Sequence, residues 1–223
     1  MADSDTARST VPTVVPRGRH APPLEVRLTV QRRRLFEAAA KVFAQRGFAD
    51  ATAEAISREA GMSKATFYEH FANKEEAILA LFDEAATEVM RQMALASETE
   101  AETYPEHLAN ATRAFLRTLA EWPDASQTVL VEIIGAGPRA TARRDEILDA
   151  FADAILRNNE RVAPRYGAPR FASRDDAFAC VGAIVELVSR QLRTGNPSDI
   201  RELEPVIERL MLGILQQAAE DLA

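Results

Sequence analysis

From Leu28 onward the apolar positions of the chain recur at helical spacing. Leu35, Phe36, Ala39, Val42 and Phe43 fall at i, i+1, i+4, i+7 and i+8, one stripe of a helix that stops at Gly47. Three further helices are predicted almost without spacing. Thr52 caps a short one to Ala60, with Ala53, Ile56 and Ala60 on a common face. Gly61 breaks it, Ser63 caps the next, in which Phe67 and Phe71 turn inward, and Asn73 caps a longer helix carrying Ile78, Phe82, Ala85 and Val89. Pro105 suits the first turn of a helix to Trp122, Pro123 ends it, and a hydrophobic stretch at 129–134 follows. Pro138 opens a helix towards Tyr166. Ser173, with Asp176 three residues on, caps a segment to Thr194 that Gly195 closes, and Pro205 begins a last helix through Leu222. Residues 1–27 mix Ser, Thr, Pro and charge without apolar period and read as a flexible arm. The predicted fold class is all-α, with no internal repeat.

Composition supports that reading. The chain has 223 residues, 47% hydrophobic and 27% charged, which suits a packed core and excludes a disordered or fibrous protein. Aromatics are only 6% while alanine recurs, favouring helix packing over sheet. A single cysteine, Cys180, excludes an intrachain disulfide. His20, His70 and His107 are too scattered for a metal cluster, so neither metal nor cofactor is expected. No window approaches the roughly 18 apolar residues of a membrane span, and prolines and arginines stand where a signal peptide needs an apolar stretch. A soluble, cytoplasmic chain without a membrane partner is expected.

The net charge of -7 hides an asymmetry. Residues 1–74 hold 12 Lys and Arg against 8 Asp and Glu, a net +4, whereas residues 75–223 hold 15 against 26, a net -11. The two parts are therefore expected to meet different partners. In the first part Arg17, Arg19, Arg27, Arg32, Arg33 and Arg34 cluster near the chain start, as a solvated tail or as a strand of cations along nucleic acid.

The informative stretch is 52–76, TAEAISREAGMSKATFYEHFANKEE. Two short helices joined by a glycine-containing turn match a helix-turn-helix, whose second helix can enter a major groove about 12 Å wide. Ile56, Ala60, Phe67 and Phe71 face inward, and Gly61 supplies the backbone freedom of the turn. Ser63, Lys64, Ala65, Thr66 and Glu69 are left outward on the second helix, short or polar enough for it to seat deeply. Thr52 and Ser63 place helix N-termini where phosphate oxygens could lie, and Tyr68, His70 and Lys74 offer further donors. An ordinary helical hairpin with solvated faces would share this spacing.

The same block strongly resembles the DNA-binding segment of the tetracycline repressor (TetR) family. Thr52, Ile56, Ala60, Gly61, Ser63, Phe67, Tyr68, His70, Phe71, Lys74 and Glu75 stand at that family's spacing, 11 positions of the 24 in 52–75. Ala38, Phe43, Gly47 and Phe48 extend the likeness through the first helix, so that it covers roughly 30–80. Ser57 and Met62 stand where alanine and valine are commoner. The resemblance implies a homodimeric transcriptional regulator, most often a repressor released from a pseudo-palindromic double-stranded DNA operator by a small molecule. It implies a flexible basic arm at 1–27, a DNA-binding domain at 28–76 and an effector-binding and dimerisation domain at 77–223. It further implies phosphate contacts from Thr52, Tyr68, His70 and Lys74, and base-edge contacts from Ser63, Lys64, Ala65 and Thr66, with Glu69 ambiguous between a base and a neighbouring side chain.

Two C-terminal helices are more apolar than one-sided surface helices. Phe178, Val181, Val185, Val188 and Leu192 form one stripe, Ala177, Cys180, Ile184 and Leu187 another, and the last helix shows Ile207, Leu210, Met211, Ile214, Leu215 and Ala218. The resemblance assigns such faces to a four-helix dimer interface, placing Val181, Val185, Val188, Leu210, Ile214 and Leu215 between subunits. A thick core within one subunit would read the same way. An effector pocket walled by Phe115, Leu119, Trp122, Phe151 and Phe178 is expected, with Tyr104, Asn158 and Arg117 as polar candidates. The acidic body points to cationic or neutral apolar effectors. The competing classes are a DNA-binding regulator that needs no effector and a helical enzyme. For the latter the sequence offers no nucleophile beside a base, no glycine-rich phosphate loop and no metal-ligand spacing.

Overall fold

The computed structural model describes residues 24–221. Among these the chain is helical without a strand: α1 Leu24–Asp50, α2 Ala53–Glu59, α3 Lys64–His70, α4 Lys74–Ser97, α5 Tyr104–Glu121, α6 Pro123–Leu130, α7 Pro138–Val162, α8 Arg174–Thr194 and α9 Glu204–Asp221, with single 3₁₀ turns at Glu132–Gly135, Ala163–Tyr166 and Ile200–Leu203. Local chemistry sets most boundaries. The side chains of Thr52, Ser63, Asn73, Thr103 and Ser173 each accept a backbone N–H in the first turn that follows, satisfying donors the helix itself cannot. Ser173 and Asp176 form a reciprocal capping box. Gly47 sits at φ 74°, so the helical run breaks there before a last turn to Asp50. A Cβ at Gly47 would also stand 3.3 Å from a carboxylate oxygen of Glu132.

Several expectations change. Arg17 and Arg19 of the expected arm lie outside the described residues, and residues 24–27 form the first turn of α1 rather than part of an arm. Pro123 ends α5 and at once opens α6, because a proline at N1 needs no N–H partner. The apolar stretch at 129–134 is the end of α6 and the following 3₁₀ turn, and α7 stops at Val162, with a 3₁₀ turn completing the run to Tyr166.

Packing does not divide the chain at residue 76. One apolar cluster joins Phe36, Phe43, Ile56, Phe67 and Phe71 to Leu81 and Phe82 of α4, and continues into Val129, Ile133, Ala140 and Ile147. Thr128 of α6 is fully buried and donates to the Ala40 carbonyl of α1 at 2.9 Å. A second cluster fills the far end with Tyr104, Leu116, Cys180, Val188, Ile207 and Leu215. Cys180 has no solvent exposure, and burial, with Asp176 nearby, pushes its thiol up to about 11, so it is a core side chain rather than a reactive one. Among the described residues no helix is long and apolar enough to cross a membrane, and no group of His, Cys, Asp and Glu could hold a metal ion.

Candidate functional site

The outer surface of α3 is short and polar because its inward side is filled. Phe67 is buried, with its ring 5.5 Å from that of Phe71, which in turn lies 5.5 Å from Phe36 of α1. This triad sets how far α3 stands from α1. On the outside, Lys64, Ala65, Tyr68 and Glu69 are exposed. Ser63 Oγ accepts the Thr66 N–H at 3.0 Å and shares a 2.9 Å hydroxyl contact with Thr66 Oγ1. The Lys64 ammonium lies 5.9 Å from the centre of the Tyr68 ring. Thr52 Oγ1 accepts the Ala55 N–H at 3.1 Å. Six of the eight expected DNA-contacting residues, Thr52, Ser63, Lys64, Ala65, Thr66 and Tyr68, thus remain available at α3 and the start of α2, while Lys74 and His70 are placed differently.

Lys74 lies in the first turn of α4 and is partly buried. Its Nζ donates to the carbonyls of Phe48, Ala49 and Ala51 at 2.7, 2.8 and 3.0 Å, and it stands 4.6 Å over the Phe48 ring. All three of its protons satisfy carbonyls at the end of α1 that the broken helix leaves open. Lys74 is therefore a cap within the protein, which corrects the expectation of a free phosphate donor. His70 also departs from expectation. Its Nε2 is buried without a hydrogen-bond partner, and burial, with Arg32 nearby, lowers its pKa against a weaker opposing pull from Glu69. The neutral ring points into the domain. Arg34 likewise turns inward, donating to the Ala60 carbonyl at 2.7 Å, Arg33 pairs with Glu37, and Arg32 stacks over Phe36 and Phe71. Arg32 and Arg34 thus tie α1 to the helix-turn-helix, whereas Arg33 pairs only within α1.

A cavity of about 990 Å³ opens between α1, α4, α5, α6, α7 and α8. Phe115, Leu119, Trp122 and Phe151 line it as expected, together with Leu81, Phe82, Val89, Met93 and Ile155. Its near wall includes Phe36 and Ala40 of α1, a contribution no sequence signal announced. Tyr104 and Asn158 line the far end, whereas Arg117 does not. Asn158 Nδ2 lies 3.0 Å from Nε2 of the buried His107, an arrangement in which the amide donates and the neutral ring keeps its proton on Nδ1. Burial, reinforced by Arg161 and Arg165, lowers the pKa of His107 and favours that neutral form. Phe178 is corrected: it is 38% exposed at the start of α8 and does not line the cavity.

Residues 35–81 match the profile of the bacterial regulatory proteins of the tetR family. Over 100 residues the chain is 33% identical to the HTH-type transcriptional regulator BetI of Brucella abortus (strain 2308), a match covering 42% of this chain and 50% of BetI. The chain therefore spans about half the length of that curated relative. Residues 35–81 are thus similar to the DNA-binding segment of tetR-family regulators. The crystal structure of FadR from Bacillus subtilis in complex with stearoyl-CoA shares the fold with a TM-score of 0.71, at 19% identity, over 82% of this chain and 98% of FadR. SmeT, the repressor of the Stenotrophomonas maltophilia multidrug efflux pump SmeDEF, is similar with a TM-score of 0.65, at 20% identity, over 82% of this chain and 88% of SmeT. At these identities the likeness establishes the architecture: an N-terminal helix-turn-helix followed by a helical bundle. The proteins that the chain resembles here are transcriptional regulators.

The residues expected between subunits separate into two groups. Val181, Val188 and Leu215 are buried within the chain, which corrects those three, whereas Val185 is half-buried and borders the cavity. Leu210 and Ile214 are half-buried at the surface, and Val206 on the same helix is 38% exposed. Beside them Gly182 of α8 and Gly213 of α9 have no atom within 4 Å of where a Cβ would stand. The apolar stripe turned to the core was indistinguishable in sequence from one turned to a partner, because both demand the same residue types.

Proposed function

We propose that the chain is a homodimeric repressor whose α3 reads an operator and whose cavity takes an elongated apolar effector that releases it. The observation that carries this reading is the shared wall: Phe36 of α1 lines the cavity and also packs, ring tilted at 46°, against Phe71 at the end of α3. An occupant that displaces Phe36 moves the support of α3. The chain also has a second rigid link, since α4 begins at Lys74 beside the end of α1 and runs along the cavity from Leu81 to Ser97. The stearoyl-CoA held by FadR, a protein of this architecture, supports an occupant with a long apolar part.

In this reading residues 28–76 form the DNA-binding unit, with Ser63, Lys64, Ala65 and Thr66 at base edges and Thr52 and Tyr68 at phosphates. Residues 77–223 bind effector and partner, and the exposed faces of α8 and α9, with Leu210 and Ile214, pair two subunits. Two recognition helices then reach successive major grooves about 34 to 36 Å apart, so the operator is a pseudo-palindrome. The test is selection from random duplex DNA, repeated with Lys64→Ala. A two-fold symmetric site is expected, with Lys64→Ala costing roughly 1 to 3 kcal/mol and relaxing the preference at one base position in each half. Equal binding of all sequences by the wild type would remove sequence-specific repression from consideration.

A further inference from the structure

The cavity face of α7 is polar, then apolar, then polar. Arg144 stands at its end nearer the DNA-binding helices, Ile147, Leu148, Phe151 and Ile155 follow, and Asn158 closes the far end, roughly 21 Å away at 1.5 Å per residue. An occupant that uses this face is long and apolar with a polar terminus.

The charges around the cavity determine which terminus. Arg33 and Lys41 are already paired, with Glu37 and Glu59. Arg161 is exposed and donates to Asn158. Arg144 differs from all three. Its side chain is only 29% exposed, and its nearest carboxylate is that of its chain neighbour Asp145, 3.9 Å away and itself 67% exposed. A half-buried arginine side chain without a close carboxylate partner has its fork of donors open to an anion, and the fold has already met part of the cost of ordering and burying it. The rim carboxylates Glu84, Glu98, Glu121 and Asp124 are exposed, where water and salt screen them, and the half-buried Glu88 is already held by Arg91 and Gln92.

We propose that Arg144 is the anchor for an anionic head group, carboxylate or phosphate, of an amphipathic effector whose aliphatic tail lies along Ile147, Phe151 and Ile155. This rests on the cavity being the effector site, and it reverses the preference for cationic or neutral apolar effectors that the acidic composition suggests. Net charge is a property of solvated faces, whereas head-group choice is set by the few charges the ligand meets out of water.

Trp122 is the chain's single tryptophan and lines the cavity, so its fluorescence reports occupancy. Dodecanoate, dodecanol and dodecyltrimethylammonium are titrated below their micelle concentrations into wild type and Arg144→Gln. The wild type is expected to bind dodecanoate roughly tenfold or more tightly than the other two, and Arg144→Gln to lose that margin while its affinity for dodecanol is unchanged. Equal affinities in the wild type, or tighter binding of the ammonium, overturn the anion anchor. The effector reading then stands on whether the bound compound weakens operator binding. A uniform loss of all three compounds in Arg144→Gln makes Arg144 a structural residue and also overturns the proposal. Binding of none of them by the wild type removes the apolar cavity as the effector site, and the head-group assignment with it.

Discussion

Replacing Asn159 by leucine is expected to cost about 3 to 5 kcal/mol of stability and roughly 10 °C in melting temperature. Asn159 is 1% exposed on α7 and makes three connections at once. Its Nδ2 donates to the Tyr104 hydroxyl at 2.6 Å and to the Pro169 carbonyl at 3.2 Å, and its Oδ1 accepts the Phe171 N–H at 3.0 Å. One amide therefore fixes the start of α5 and the segment between α7 and α8 to the same point. Leucine has a similar volume, so the loss is one of hydrogen bonding: a buried backbone N–H, a carbonyl and a phenol are left without partners. Thermal unfolding followed by circular dichroism measures it. A loss below about 1 kcal/mol would mean that water takes over these groups and that the far end of the bundle is looser than its packing indicates.

Lys74→Met is expected to destabilise the protein by about 2 to 3 kcal/mol, and not to change the salt dependence of DNA binding at temperatures where the variant is folded. Methionine keeps an apolar stem against the Phe48 ring but leaves the carbonyls of Phe48, Ala49 and Ala51 without their donor. Those carbonyls exist because Gly47 breaks α1, so the lysine and the glycine belong to one device: the glycine opens the helix end and the lysine closes it. A lysine that served phosphate would behave differently. Its removal would lower the slope of log affinity against log salt by about one and leave the melting temperature nearly unchanged. The pair of measurements separates the two roles.

What the chain discloses before it folds follows the range of each interaction. Thr52, Ser63, Asn73 and Ser173 were legible as caps because each acts on an N–H within three residues. The helix-turn-helix was legible for the same reason, together with the inward spacing of Ile56, Phe67 and Phe71. Lys74 was misread because its partners lie 23 to 26 residues away, and nothing in the spacing distinguishes a carbonyl of α1 from a phosphate. The cavity was half legible. Phe115, Leu119 and Phe151 carry apolar bulk wherever they point, but Phe36 and Arg144 become part of it only when α1 and α7 close on α4. Leu215 and Val188 were assigned to a partner because a helix apolar on two sides does not declare which side its own chain covers. Half-buried Leu210 and Ile214 remain as candidates for that face, since the fold leaves them at the surface.

The coupling of the cavity to the operator through α1 and α4 is tested most directly by measuring one linkage from both directions. Operator affinity is determined by fluorescence anisotropy with and without saturating effector, and effector affinity by Trp122 emission with and without operator. The expected result is a weakening by the same factor in both, corresponding to a coupling of about 1 to 3 kcal/mol. A stoichiometric, tightly bound occupant that leaves operator affinity unchanged would contradict it and make the chain a regulator that needs no effector.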